Sequence, residues 1–271
     1  MVAWLLAVAL PLKVAFIAVG QGDAALITSP AGKTVLIDGG PHEAGVALEA
    51  YLRTHASAPL DLVLLTHRHA DHLGGLERVI AAFGTRLYLD PPFPHESPAY
   101  TALLGLLAAR HVPVHEARLG RTIDLGGDAR LELLGPAEPT ITGTRSDVNA
   151  NSVIARLDYK RASVLFAGDA EARTESWLLR RGARLRARVL KVAHHGSGYS
   201  STVRFLAAVM PEIAVMSVGA GNDYHHPHPR TVARLQALGA KVYRTDEDGD
   251  VQIESDGEKL TVTTSREANP K

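Results

Sequence analysis

The sequence predicts one mixed α/β (α+β) domain built as a four-layer αββα sandwich, two sheets face to face with helices outside. Three observations carry that expectation. Short apolar runs rich in Val, Ile and Leu alternate with stretches of helical pattern. The second half of the chain repeats the first in kind, strands then helix then strand, without obvious sequence identity. No linker-like stretch divides the 271 residues, and with 46% apolar and 21% charged residues they are enough for one sizeable core. The expected domain covers residues 12–271, preceded by an apolar segment at 1–11.

Residues 1–10 are uniformly apolar, too short to cross a bilayer and without the positive start of a signal peptide. Residues 13–19 read as the first strand, ending in the turn signal Gly20-Gln-Gly-Asp23. Residues 24–28 and 34–37 read as two more strands, joined through a Pro30-Ala-Gly-Lys33 hairpin turn. Asp38-Gly-Gly40 ends the third, and 45–54 is helical in pattern. Residues 62–65 form a short buried strand that runs into His67.

Helix is expected over 76–83 and strand over 86–89. Asp90-Pro-Pro-Phe-Pro94 is then a rigid break, its loop through Pro98 expected to be the longest irregular stretch. A helix over 101–111, a strand over 112–116 and a hairpin over 122–134 about Gly126-Gly127 follow. Buried strands at 163–167 and 189–193 each run into polar residues, Asp169 and His194-His195-Gly-Ser197. A helix starts at Thr202, 213–218 is the last deep strand, and a final hairpin follows the turn at 244–249. His95, His111 and His115 are scattered and read as ordinary surface or core residues.

The chemistry centres on His67, His69, Asp71 and His72. Three imidazoles and a carboxylate within six residues at a buried strand end are metal ligands in type and spacing. Alternation sends His67 and His69 to the same side, so both can grip one ion, while Asp71 and His72 follow on the bend and reach a second. The chain has no cysteine, which excludes disulfides and thiolate ligands together; a His and carboxylate site suits Zn²⁺ and Mn²⁺.

Gly196 and Gly198 flank Ser197, and Ser200 and Ser201 precede a helix, so backbone N–H groups and hydroxyls there make a phosphate cradle. His194 or His195 can bind metal or give a proton to a leaving oxygen. Neighbours on a strand point opposite ways, so one of the two faces the metals and the pattern does not say which. The working assignment gives His194 to metal and His195 to catalysis.

The net formal charge is zero, so any nucleic-acid contact needs a local basic face. Arg180, Arg181, Arg184, Arg186, Arg188 and Lys191 precede the His-His-Gly-Ser turn, and read either as a solvated face or as a DNA-tracking surface beside the cradle.

The H-x-H-x-D-H motif resembles that of the metallo-β-lactamase superfamily. Val19-Gly-Gln-Gly-Asp-Ala24, Leu36-Ile-Asp-Gly-Gly40, Ala167-Gly-Asp169, Lys191-Val-Ala-His-His-Gly-Ser197, His226-Pro-His-Pro229 and Val242-Tyr-Arg-Thr-Asp246 are similar to the C-terminal hydrolase domain of ComEC-type competence proteins, membrane proteins of bacterial DNA uptake. The likeness runs from about residue 12 to about 265. It implies that Asp38 orients a metal-binding His, that Asp169 bridges two ions, and that His226 is the closing ligand, with His228 the second choice there and otherwise a substrate contact.

Many superfamily members carry a metal-binding His near Asn149-Ala-Asn151. Here Asn149 or Asn151 stands in as a weak oxygen ligand or a substrate contact. His225 replaces a Gly usual in the branch, and His69 stands where ComEC-type domains often have Asp, which shifts the expected metal toward Zn²⁺. The resemblance also makes residues 1–11 the tail of a membrane helix.

The function expected from all this is a hydrolase with two divalent ions, Zn²⁺ or Mn²⁺, that cleaves phosphodiesters of single-stranded or incoming DNA. The expected ligands are His67, His69, Asp71, His72, Asp169, His194 and His226. Asp71 would orient the attacking water and His195 would protonate the leaving oxygen. Asn149, Asn151, Ser197, Ser201 and His228 would hold the substrate. The implied partners are single-stranded DNA and a membrane-embedded channel of the ComEC type, with an extracytoplasmic or membrane-associated location in that case and a soluble cytoplasmic one otherwise. Oligomeric state is not legible. The alternatives are a small-molecule hydrolase of the same fold, such as a phosphocholine esterase or lactonase, with β-lactamase the poorest fit. The other is a non-catalytic DNA-guiding module.

Overall fold

Alternation along single strands sets the layers. In the computed structural model, which describes residues 10–266, Leu62 and Leu64 turn into one apolar layer while Val63 and Leu65 turn into another. The split recurs where Val164 and Phe166 face one layer and Leu165 the opposite one. Strands apolar on both faces must be covered twice. Two sheets stacked together with helices outside meet that demand, and the chain folds as the expected four-layer sandwich.

The chain begins with β1 (Leu12–Phe16), β2 (Ala25–Thr28), β3 (Thr34–Ile37), α1 (Gly45–His55) and β4 (Leu62–Leu64). Then come α2 (Ala70–Leu73), α3 (Leu76–Phe83), β5 (Tyr88–Asp90), α4 (Pro98–Ala109) and β6 (Val114–Glu116). The second half opens with β7 (Thr122–Gly126), β8 (Ala129–Leu133), α5 (Asp147–Ala150), β9 (Ala155–Tyr159) and β10 (Ala162–Phe166). It continues through α6 (Ala172–Arg180), β11 (Val189–Lys191), α7 (Val203–Val209), β12 (Ile213–Met216), α8 (Pro229–Ala237) and β13 (Lys241–Arg244). After α9 (Thr245–Asp248), β14 (Val251–Ser255) and β15 (Leu260–Thr264) return to the first sheet, where β14 pairs with β1.

The first sheet runs β15-β14-β1-β2-β3-β4-β5-β6 and the second β13-β12-β11-β10-β9-β8-β7. Phe16 and Phe166 meet between them with ring centroids 6.0 Å apart. Leu48, Val79 and Leu103 carry α1, α3 and α4 onto the first sheet, and Leu178, Phe205 and Leu235 carry α6, α7 and α8 onto the second. In each sheet the parallel strands, β3 to β6 and β10 to β13, end on the same edge. Residues that follow those ends are therefore gathered along one rim, the usual place for a site in parallel sheets.

Local signals moved several boundaries. Strand β5 runs on to Asp90 because Asp90 keeps its register with Glu116. Helix α4 starts at Pro98, since Ser97 Oγ accepts the Tyr100 N–H at 3.2 Å and Pro98 fits the first turn. The longest irregular stretch is not the proline loop but 134–146. It is fastened from within: the Asn151 amide bonds both backbone groups of Ile141, and the Asp147 carboxylate accepts the Gly143 and Thr144 N–H groups.

The apolar start of the chain lies, but for its last two residues, outside the described residues. No described helix is long and apolar enough to cross a membrane.

Phe16→Ala should lower unfolding free energy by about 3–5 kcal/mol, because it opens a cavity between the sheets. Val114→Ala, on the exposed edge strand, should stay within about 0.5 kcal/mol. Denaturant titration measures both, and equal losses would contradict this layering.

Candidate metal centre

Asp38 ends β3 with φ of 60° and is buried. Its carboxylate accepts the Thr66 N–H and the Thr66 hydroxyl, both at 2.7 Å, and the His72 Nδ1–H at 2.8 Å. One carboxylate thus fixes the strand end after β4 and the tautomer of His72, leaving Nε2 to face outward. His72 Nε2 lies 3.3 Å from Asp169 Oδ1 and 3.8 Å from Asp71 Oδ2. Beside it, His67 Nε2 lies 3.1 Å from His69 Nδ1 and 3.6 Å from Asp169 Oδ2.

From the second sheet, Asp169 follows β10, and His194 and His195 follow β11. Val192 is the last extended residue; His194 (φ 51°, ψ 49°), His195 (φ 52°, ψ 25°) and Gly196 (φ 83°) then form a left-handed turn. Two non-glycine residues in that region are rare and cluster where a site needs them. The turn, not a strand, sets the ring directions, so the expectation that only one imidazole faces the centre does not hold. His194 Nε2 stands 3.7 Å from Asp169 Oδ2. His195 donates its Nδ1–H to the Ser217 carbonyl at 2.9 Å, which turns Nε2 to within 3.2 Å of Asp71 Oδ2 and 3.8 Å of Asp169 Oδ1. The assignment of His195 to leaving-group chemistry alone is corrected by that geometry: it sits in the cluster.

Among the described residues three groups of donor atoms result: His67, His69 and Asp169; Asp71, His72, Asp169 and His195; and Asp23, Asp38 and His72. Asp169 is common to the first two, and His194, an expected ligand, is in none of them. The buried atoms Asp169 Oδ1, His72 Nε2 and His195 Nε2 have no hydrogen-bond partner. Other buried side-chain atoms also lack a partner, but these three lie together, with His72 Nε2 3.3 Å and His195 Nε2 3.8 Å from Asp169 Oδ1, a grouping that fits a bound cation. No cysteine competes, and imidazole with carboxylate suits divalent transition metals.

Burial disfavours charge on His195, but Asp169 and Asp23 raise its pKa to about 10. Burial also opposes charge on His72, which Asp169, Asp71 and Asp38 nevertheless push well above the usual value. Burial holds His67 well below it, helped by His72.

Sequence reasoning missed a second shell of charge. Lys191 is buried at the end of β11, and its Nζ lies 2.6 Å from Asp23 Oδ2. Asp23 Oδ1 is 3.2 Å from His195 Nδ1. Burial works against the Asp23 charge, yet Lys191, then His195 and His72, keep its pKa at about 2. The signal was a lysine inside an apolar parallel strand, a position that demands a buried partner.

Several expected substrate residues are elsewhere. Asn151 is fully buried, tied to the 141–147 loop, and does not line the cleft. Ser201 is fully buried, and the N–H groups of Ser201 and Thr202 both donate to the Glu175 carboxylate. The expected phosphate cradle is therefore already filled by the protein's own anion. His228 caps α8 by accepting the Arg230 N–H, turned to its own helix. The basic run is split: Arg188 pairs with Glu212, and Arg184 with Asp158, at the opposite strand ends from the centre, while Lys191 is buried beside it.

Asn149, Ser197 and His226 do line the cleft above the cluster, an open space of about 880 Å³. Asn149 Nδ2 is 3.4 Å from His194 Nε2. His226, expected as the closing ligand, stands 5.4 Å from His194 between ring centroids and, like His194, lies in none of the donor groups, whereas His195 does. His95, unpatterned in sequence, also lines the cleft, its ring 5.3 Å from that of His69.

Residues 17–220 match the metallo-β-lactamase superfamily. The chain belongs to that superfamily. It is 28% identical over 257 residues to ComE operon protein 3 of Bacillus subtilis, covering 89% of this chain and 32% of that protein. It is 31% identical over 236 residues to competence protein ComA of Neisseria gonorrhoeae, covering 86% and 31%. The chain thus spans about a third of the length of these relatives. Among solved structures, the metallo-β-lactamase fold protein YhfI of Bacillus subtilis superposes with a TM-score of 0.57 at 14% identity, over 91% of this chain and all of that one.

Asp38→Ala should weaken metal binding by about 10–100-fold, because it frees the His72 ring; competition with a chromogenic chelator reads this directly. In metal-free protein the raised His195 pKa stabilises the fold fully below about pH 6.5, its unfolded value, and that contribution fades as pH rises toward 10. Metal must displace the same proton, so loading at pH 8 should release about one proton or more per chain. Calorimetry in buffers of different ionisation enthalpy measures the release, and none at pH 8 would contradict the cluster.

Proposed function

We propose that this chain is a binuclear metal-dependent phosphodiesterase acting on DNA, linked to competence, where it degrades the strand that is not transported. The observation that carries the reading is the position of Asp169. Its Oδ2 faces His67 and His194 at 3.6 and 3.7 Å, while its Oδ1 faces His72 and His195 at 3.3 and 3.8 Å. A carboxylate with a separate imidazole pair on each oxygen is built to bridge two cations. Zn²⁺ and Mn²⁺ both suit the donors.

Two such ions, when bound, would supply Lewis acidity toward water and phosphate oxygen. The chain's own groups do the rest. Asp71 and Asp169 both line the cleft, and Asp71, with 31% of its side chain exposed, is the more open of the two and can orient an attacking water. Its pKa is depressed: burial alone would raise it, but His72 and His195 outweigh that, so it stays an acceptor. His226 has its pKa pushed down to about 4 by burial, then by His194 and His195. Near neutral pH it is therefore an uncharged ring whose N–H can donate to a phosphate or leaving oxygen. Asn149 offers its amide beside His194 for the same purpose.

The open cleft suits a polymer, and the competence proteins this chain resembles support DNA as that polymer. On this reading the chain works as part of, or beside, a membrane-embedded channel on the extracytoplasmic side.

Metal-stripped protein given Zn²⁺, Mn²⁺ or Mg²⁺ should regain cleavage of labelled single- and double-stranded DNA with at least one ion. Asp71→Ala should be at least about 100-fold slower. Failure with every ion, in protein shown to bind two metals, would replace the nuclease reading with a small phosphoester hydrolase or a DNA-guiding module.

A further inference from the structure

Aromatic rings are mostly buried in this protein, and the exceptions share a location. Among the described residues only Tyr199 and Tyr224 are exposed aromatic side chains, at 56% and 68%. Both line the cleft above the metal cluster. Tyrosine left in water at a binding surface combines a large apolar face with little conformational entropy, which is why it recurs where flat groups are bound.

Each ring is held in place. The Arg145 guanidinium carbon lies 3.7 Å from the Tyr199 ring centroid, a close cation–π contact. Tyr224 lies nearly parallel to His226, 25° between planes and 5.9 Å between centroids. His226 is in turn 5.4 Å from His194, which stands 3.7 Å from Asp169. A flat group seated on Tyr224 is thus linked by a continuous run of rings to the cluster. Arg145, which also lines the cleft, adds a positive charge beside the second platform.

We propose that Tyr224 and Tyr199 with Arg145 form two base-stacking platforms that make this centre select unpaired nucleic-acid strands, bases on the tyrosines and a phosphate on Arg145. The proposal rests on the phosphodiesterase reading of the same site. A duplex keeps its base faces stacked on one another, so it cannot use the platforms. Stacking on an aromatic ring is tolerant of sequence because every base has a π-face. The platforms therefore confer a strand preference without a sequence preference.

The test uses metal-loaded full chain and fluorescence anisotropy with a labelled ten-nucleotide phosphorothioate strand, an abasic strand of equal length, and the matching duplex. The base-bearing strand should bind about tenfold or more tightly than the abasic one. Tyr224→Ala and Tyr199→Ala should each weaken it by about tenfold, and Tyr224→Trp should restore it. Arg145→Ala should reduce the slope of log affinity against log salt by about 0.7, which the tyrosine variants should leave alone. A 2-aminopurine in the strand should lose fluorescence on binding and keep it in Tyr224→Ala, and thermal melts establish that each variant is folded. Equal binding of abasic and base-bearing strands, or alanine variants that bind like the parent, would overturn the proposal. Hydrolysis of bis(p-nitrophenyl) phosphate by the parent separates the two readings. Hydrolysis with base-independent binding removes the platforms and leaves the phosphodiesterase; base-dependent binding without hydrolysis of any diester does the reverse.

Discussion

A carboxylate with 2% of its surface exposed stays ionised inside a protein only if positive charge surrounds it, and Asp169 is such a group. Burial opposes its charge, and His72, His195, His67 and His194 together more than reverse that, holding its pKa well below the usual range. Those four rings come from both sheets. His67 and His72 follow β4 in the first, and His194 and His195 follow β11 in the second. The rim where the sheets meet is therefore joined by electrostatics as well as by apolar packing. One backbone bond crosses the same seam, from the Val153 N–H to the Thr66 carbonyl, and another, from the Asp23 N–H to the Asp71 carbonyl, ties two loops of the first sheet together.

Behind the ligands, oxygen acceptors give two of the rings a defined tautomer. Asp38 takes the inner N–H of His72, and the Ser217 carbonyl takes that of His195. The free nitrogens then point to one place, together with Asp169 Oδ1. A buried polar atom without a partner costs about 1–3 kcal/mol. Three such atoms lie together here, so metal affinity and stability should be coupled.

The sequence was most legible where partners are close along the chain. His67, His69, Asp71 and His72 lie within six residues, so type and spacing alone pointed to a metal site, and short strands repeated in the second half pointed to the two sheets. It was least legible where the partner comes from far away. Asp23 and Lys191 meet across most of the chain, and neither position shows the other. Ser201 has the composition of a phosphate cradle, but Glu175 from α6 already holds its N–H group. Strand alternation failed at His194 and His195 because the backbone turns left-handed there, a conformation that nothing in the residue types signals. His226, expected as the closing ligand, lines the cleft and lies outside the donor groups, one of which holds His195.

X-ray absorption on metal-loaded protein, together with metal content per chain, tests the central claim that Asp169 is shared between two cations. The account predicts two metals per chain, a nitrogen and oxygen shell, and a metal–metal scattering path at about 3.5–4 Å. That path should vanish in Asp169→Ala. One metal per chain in saturated protein, with no metal–metal path, would contradict the account.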